Sequence, residues 1–375
     1  MQARRSRSRL RGRAGRPLPW RGITAVAAVV AVLLVAVLPS PYALERPGPV
    51  FDTLGSNGTG ASRAPLIEIP AERTYPTSGR LDLLTVNVVG APGGGPSWLD
   101  LAAAWLDPAQ AVIPLEAVFP SGTSQQQSDR EGAAEMSQSQ RSAVAAALTQ
   151  LGDDVHGDVR VGDVGTGTAA AGRLLEGDLV RSFDGEPVRD SCALQDQVLA
   201  HGTRPASIVV ERDGEERTVS VTPRRVDAGG GTTRPLLGVA TTASFRFPFT
   251  VRLRIDDVGG PSAGMMFALG IVDKLTPGAL TGGRHVAGTG TICGDGSVGA
   301  IGGIVQKMAA ARSAGATLFL APAADCDEVV GHVPDGLAVT PVQTLGGALD
   351  VLKKVRQQGS TAGLPTCSAQ VSSAG

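Results

Sequence analysis

Aromatic side chains are scarce in this chain of 375 residues, at 3% of the total. Any core must therefore rest on Ala, Val, Leu and Ile, and a hydrophobic content of 42% is enough to build one, which excludes a wholly disordered polypeptide. Lysine is rarer still: Lys274, Lys307, Lys353 and Lys354 are the only four among 34 basic residues. Arginine does not deprotonate in proteins, so a task that needs a neutral amine is one place where a chain this rich in Arg would keep a Lys. No GxxxxGK[ST] loop and no CxxC pair occur, which argues against a nucleotide-driven motor and against a cysteine zinc site. Nothing in the pattern calls for a metal or another cofactor, and no internal repeat is present. What the chain does have is 50 Gly and 25 Pro, the mark of many turns, over a length that suggests two or three modules.

The net charge of −1 hides an asymmetry. Residues 1–21 hold eight Arg and no acid, so the rest of the chain is acidic. This tail abuts the apolar run 23–38 and is therefore read as a membrane signal rather than a nucleic-acid arm. Counted from Trp20 to Tyr42, a helix would be ~33 Å long, with an aromatic at each interface. The expectation is a basic cytoplasmic tail (1–21), a transmembrane signal anchor (22–42) and everything beyond it outside the cell; a cleaved signal peptide is the alternative. Export would permit disulfides. Cys192, Cys293, Cys326 and Cys367 allow three pairings, of which Cys326 with Cys367 is preferred because it would tie down the polar tail 357–375; free thiols are the alternative.

Residues 43–70 read as a stalk, with Pro, Gly and Ser concentrated between 45 and 63. A strand is expected at 81–89 and a helix at 136–148. Residues 236–255 are strand-like again, and from 262 onward helices and strands alternate.

The middle segment runs strand, Ala-Gly turn at 169–172, Glu176-Gly177-Asp178 into a strand, an Asp184-Gly185 turn, a helix and a closing hairpin. It resembles a PDZ domain of the bacterial envelope-protease type, assigned to 155–226. The resemblance implies peptide binding by strand addition, with the carboxylate loop at His156, Gly157, Asp158 and Val159; that sequence departs from the usual hydrophobic-Gly-hydrophobic pattern.

The chemistry concentrates in DDVGGPSAG at 256–264 and GGIVQKM at 302–308. Gly259-Gly260 permits a sharp turn, Pro261 suits a helix start, and Ser262 is either an N-cap or a nucleophile at the positive end of a helix. Lys307 lies on a helix candidate; a buried Lys can be shifted down and act as general base. Lys274 stands twelve residues beyond Ser262 on one helix, ~18 Å away, too far to serve it. His285 with Asp256 or Asp257 would make the competing Ser-His-Asp triad.

These segments resemble the proteolytic domain of the Lon protease family: GPSAG at 260–264, TGxI at 289–292 and IGGxxxK at 301–307. The resemblance implies a Ser262–Lys307 dyad without histidine, supported by Thr289 and Gly260, over a domain at 236–356. The family often has an acid three residues before the serine, where this chain has Gly259. The strand at 81–89 and the helix at 136–148 look like the first elements of that fold, which would make 71–152 its N-terminal part and the PDZ module an insertion. The order of anchor, PDZ and Lon-like domain is similar to the membrane-bound PDZ-Lon proteins of Gram-positive bacteria. The expected fold class is thus α+β: an N-terminal transmembrane helix, a PDZ β-sandwich or barrel-like module and a Lon-type α/β proteolytic domain. The expected function is ATP-independent cleavage of extracytoplasmic proteins or peptides by the Ser-Lys dyad, with the PDZ domain recruiting or regulating substrate, on a single-span membrane protein that binds no nucleic acid. The resemblance further implies assembly into a hexameric ring. A PDZ scaffold with an inactive Lon-like domain is the alternative.

Overall fold

The computed structural model describes residues 36–57, 64–120, 122–229, 232–255 and 258–368, together with positions 24, 26, 27 and 30. The order along the chain is β1 (Tyr42–Asp52), β2 (Arg80–Val89), β3 (Ala111–Pro114), α1 (Gln125–Leu151), β4 (Gly157–Val164), β5 (Leu179–Phe183), α2 (Ser191–His201), β6 (Ala206–Arg212), β7 (Glu215–Val221) and β8 (Val239–Phe245). It continues with α3 (Gly264–Leu275), β9 (His285–Gly288), α4 (Ile304–Ser313), β10 (Leu318–Pro322), β11 (Ala338–Val342) and α5 (Leu345–Gln358).

The expected transmembrane helix requires correction. Among the described residues no helix is long and apolar enough to cross a membrane. The helix expected to run as far as Tyr42 has already ended at residue 36: a bend follows, Pro39 and Pro41 forbid continuation, and Tyr42 opens β1. The basic tail 1–21 lies outside the described residues. The expected stalk likewise contains β1, a full member of the larger sheet.

That sheet has the order β11-β10-β9-β2-β1-β3. The first four strands are parallel, and β1 runs antiparallel to both β2 and β3. Parallel strands covered on both faces need apolar residues on each, and β10 supplies them by alternation. Leu318 and Leu320 join one core cluster, Phe319 and Ala321 the other. The first cluster is covered by α1, α3 and α5, the second by α4. Helix α3 is buried over Gly264–Asp273, which explains its nearly uninterrupted apolar sequence. The Ala-rich half of α1 (143–147) is also buried, and small side chains there let the two helices approach. Ser124 caps α1, and Gly152 ends it at φ 100°.

Between α1 and α3 the chain forms a second sheet, β7-β6-β5-β4-β8, with its own core and α2 beside it. The large sheet is thus assembled from segments on both sides of a smaller β domain. Strand β8, expected to open the proteolytic domain, pairs antiparallel with β4 from Val239↔Val164 to Phe245↔Gly157 and completes the β domain. Two disulfides are present. Cys326–Cys367 ties the C-terminal segment to the large domain as expected, and Cys192–Cys293 joins the two domains.

Candidate active site and peptide groove

Substrate sites in open α/β sheets form at the carboxyl ends of the parallel strands, and the motif residues converge there. A cleft of about 680 Å³ is lined by Ser262, Lys307, Glu45, Val86, Met136 and Gly302, among others. A neighbouring cavity of about 940 Å³ shares Val86, Met136, Val258 and Gly259 with it. Beyond Leu83, the side of β2 facing away from β1 has no partner strand among the described residues.

Ser262 sits in the turn before α3, whose N-cap is Ala263 and makes no side-chain cap bond. The capping role for Ser262 therefore falls away. Its backbone is held firmly: its carbonyl accepts from the Thr289 hydroxyl at 3.0 Å and from the Gly290 amide at 2.9 Å. Just upstream, the Gly260 amide donates to the carbonyl of Gly132 on α1, and Ser139 of the same helix donates to the Pro261 carbonyl. Gly260 adopts φ +86°, a conformation that favours glycine. Thr289, which the family resemblance implies as a support of the dyad, is 1% exposed, and its hydroxyl donates to the serine's backbone.

Lys307, on the first turns of α4, is 3% exposed. Burial pulls its ammonium down to about 8, against the opposing pull of Asp325 and Glu45. Desolvation therefore outweighs two carboxylates. Asp325 is pushed up to about 6, chiefly by burial, while the Ile301 amide bonded to it acts the other way. Burial also raises the Glu45 carboxyl, and Lys307 lowers it. Neither carboxylate was identified from sequence. Asp325 carries the usual signal, an acid just past the carboxyl end of β10; Glu45 carries none, because its strand reads as a linker.

Asp256 and Asp257 lie outside the described residues. His285 starts β9, at the end of the strand opposite Thr289, ~13 Å along the strand. Its Nε2 lies 2.5 Å from Asp82 Oδ2, and Asp82, fully buried, also takes Arg80. His285→Ala should therefore leave cleavage near wild type yet lower stability by about 1–3 kcal/mol through the weakened Asp82 network. Parallel activity and denaturation measurements check this, and loss of activity without loss of stability would revive the triad.

The sequence-assigned carboxylate loop is not at a sheet edge. Val159 on β4 pairs with Val180 on one side and Ala243 on the other, so its backbone cannot receive a further strand. Asp158 is taken by Arg181 and Arg246, Gly157 pairs with Phe245, and His156 faces Asp154. Beyond β4, the edge strand on this side of the sheet is β8. Between it and α2 lies a groove of about 340 Å³ lined by Leu194, Val198, Leu237, Gly238, Val239 and Thr241. Here Leu237-Gly238-Val239 supplies the hydrophobic-Gly-hydrophobic pattern missing at 156–159. Gly238 has φ +78°, and a Cβ there would meet Thr168 Cβ at 2.3 Å.

Residues 257–355 match the model of the Lon protease (S16) C-terminal proteolytic domain, and residues 138–222 match that of the PDZ domain. A Lon protease of Clostridioides difficile (strain 630) is 36% identical over 94 residues, 24% of this chain and 12% of that protein. The chain thus matches only about an eighth of that relative's length. Among solved structures, the PDZ domain of an SdrC-like protein from Listeria innocua is 22% identical, covering 22% of this chain and 92% of that one, with a TM-score of 0.21. Its counterpart from Listeria monocytogenes is 21% identical over 22% and 86%, also at 0.21. The chain therefore joins a Lon-type proteolytic domain to a PDZ domain in one polypeptide.

Proposed function

We propose that this protein is an ATP-independent serine endopeptidase in which Lys307 activates Ser262 and the PDZ groove takes an extended peptide segment. The observation that carries the reading is that the motif serine and a buried lysine of lowered pKa line one cleft. In the neutral form the Lys307 amine accepts the Ser262 hydroxyl proton as Oγ attacks the scissile carbonyl. The oxyanion develops at the N-terminus of α3, where backbone amides and the helix dipole favour negative charge. Collapse expels the amine, which takes the proton from Lys307, and water then releases the acyl group by the same steps in reverse. The unpaired side of β2 at 85–89 borders the cleft and supports substrate bound as an added strand.

Two disulfides support action outside the reducing cytoplasm. Purified full-length protein should degrade an unfolded protein without ATP, and Ser262→Ala should abolish this. Equal activity in Ser262→Ala, or an inactive wild type, would overturn the reading.

A further inference from the structure

A short hairpin lies between the two domains. Its strands, Thr291–Ile292 and Val298–Gly299, pair antiparallel. Immediately before it come Thr289 and Gly290, which hold the Ser262 carbonyl. Immediately after it come Ile301, bonded to Asp325, and Gly303, the N-cap of the helix carrying Lys307. The hairpin also touches the serine side directly, since a Cβ on Gly264 would meet Ile292 Cγ2 at 2.7 Å. It is therefore the chain segment that connects the nucleophile's support to the base's support.

Its tip is fastened to the PDZ groove. Cys293 is disulfide-bonded to Cys192 in the first turn of α2. The Gly294 amide donates at 2.7 Å to Asp190, whose other oxygen caps α2. From the opposite wall, Phe245 at the end of β8 closes on the same residue, where a Cβ on Gly294 would come within 3.1 Å of its ring. Both walls of the groove thus end on Cys293–Gly294. The groove also presents an unmet polar group: the Ser191 hydroxyl, in its lining, is buried without a partner among the described residues.

We propose that the PDZ domain is an effector module. An extended peptide seated between α2 and β8 displaces the groove walls, and the Cys192–Cys293 strut passes this to the hairpin and so to the placement of Ser262 against Lys307. Groove occupancy then sets the reactivity of the serine itself, beyond recruiting substrate. This rests on the Ser262–Lys307 reading above.

The test uses the full chain and a small serine-directed fluorophosphonate, whose rate of labelling reports Ser262 reactivity without a groove-bound substrate. The groove is filled by Gln195→Trp, at an exposed lining position on α2. With the strut intact, this substitution should change the labelling rate by about fivefold or more, the lower end of ordinary coupling between sites. In Cys192→Ser/Cys293→Ser the same substitution should change it by less than about twofold, which is the non-additivity that a shared path produces. Equal effects in both backgrounds, or none with the strut intact, overturn the proposal. If the double serine variant does not fold, hydrogen exchange at the Gly290 and Ile301 amides in Gln195→Trp decides: altered exchange supports coupling, and unchanged exchange refutes it. Labelling that survives Ser262→Ala, or none in wild type, would instead sink the dyad, and the exchange measurement would still report on the coupling.

Discussion

Lys307→Arg should abolish peptide cleavage, by about 10³-fold or more, while the protein stays folded. General-base catalysis is worth 10²- to 10⁴-fold, and a guanidinium cannot accept the proton at any pH the fold tolerates. Lys307→Met, which removes a buried cation altogether, should be equally inactive and serves if the larger Arg does not fit. Near-wild-type turnover in Lys307→Arg would end the dyad. The pH dependence follows from the same burial. The base must be neutral, so the wild-type rate should rise with pH through an ionisation near 8 and level off above it. Asp325 favours the charged form of Lys307, so Asp325→Asn should move that rise to lower pH. A rise that stays in place, or moves up, would show that the titrating group is not Lys307.

The second large effect is expected far from either reacting atom in sequence, at Gly132 on α1. Its carbonyl accepts from Gly260, and a Cβ added to it would lie 3.5 Å from Gly259 Cα, ordinary van der Waals contact. Gly132→Ala should therefore be tolerated. Gly132→Val projects methyl groups beyond that Cβ and must push the nucleophile loop off the helix; a displacement of about 1 Å costs about 10²-fold. Measured kcat for the two variants, with a thermal melt for each, checks the contrast. Equal activity in Ala and Val would mean that α1 does not position the serine.

The site was legible where chemistry forces a residue type. Ser262 stands in a Gly-Pro-Ser-Ala-Gly run, and Lys307 is one of four lysines in an Arg-rich chain. Helix α3 was legible because a helix buried along its length must be apolar throughout. Strand β1 was not, since Pro47, Gly48 and Pro49 give it the composition of a linker. Those residues are accommodated where the register to β2 shifts and where β3, which pairs only with residues 42–45, no longer needs their amides. Losing β1 also hid Glu45. For β8 the alternation revealed a strand but not its sheet, because local sequence does not encode a pairing with β4 some 80 residues upstream. The groove motif at 237–239 was missed for the same reason.

The position of the β domain between β2 and β9 has a consequence for how the large domain comes into being. The His285–Asp82 contact, which binds the two strands, spans 203 residues. A chain emerging from the ribosome exposes β2 long before its parallel neighbour β9 exists, whereas the β domain has all its strands by residue 245. Contacts of such long separation form slowly, and domains fold as units in order of synthesis. The inserted domain should thus fold first and hold the two halves of the large sheet near each other while the rest is made. Because the Lys307 helix follows the β domain in sequence, the proposed Ser262–Lys307 site should be assembled only after that domain has folded.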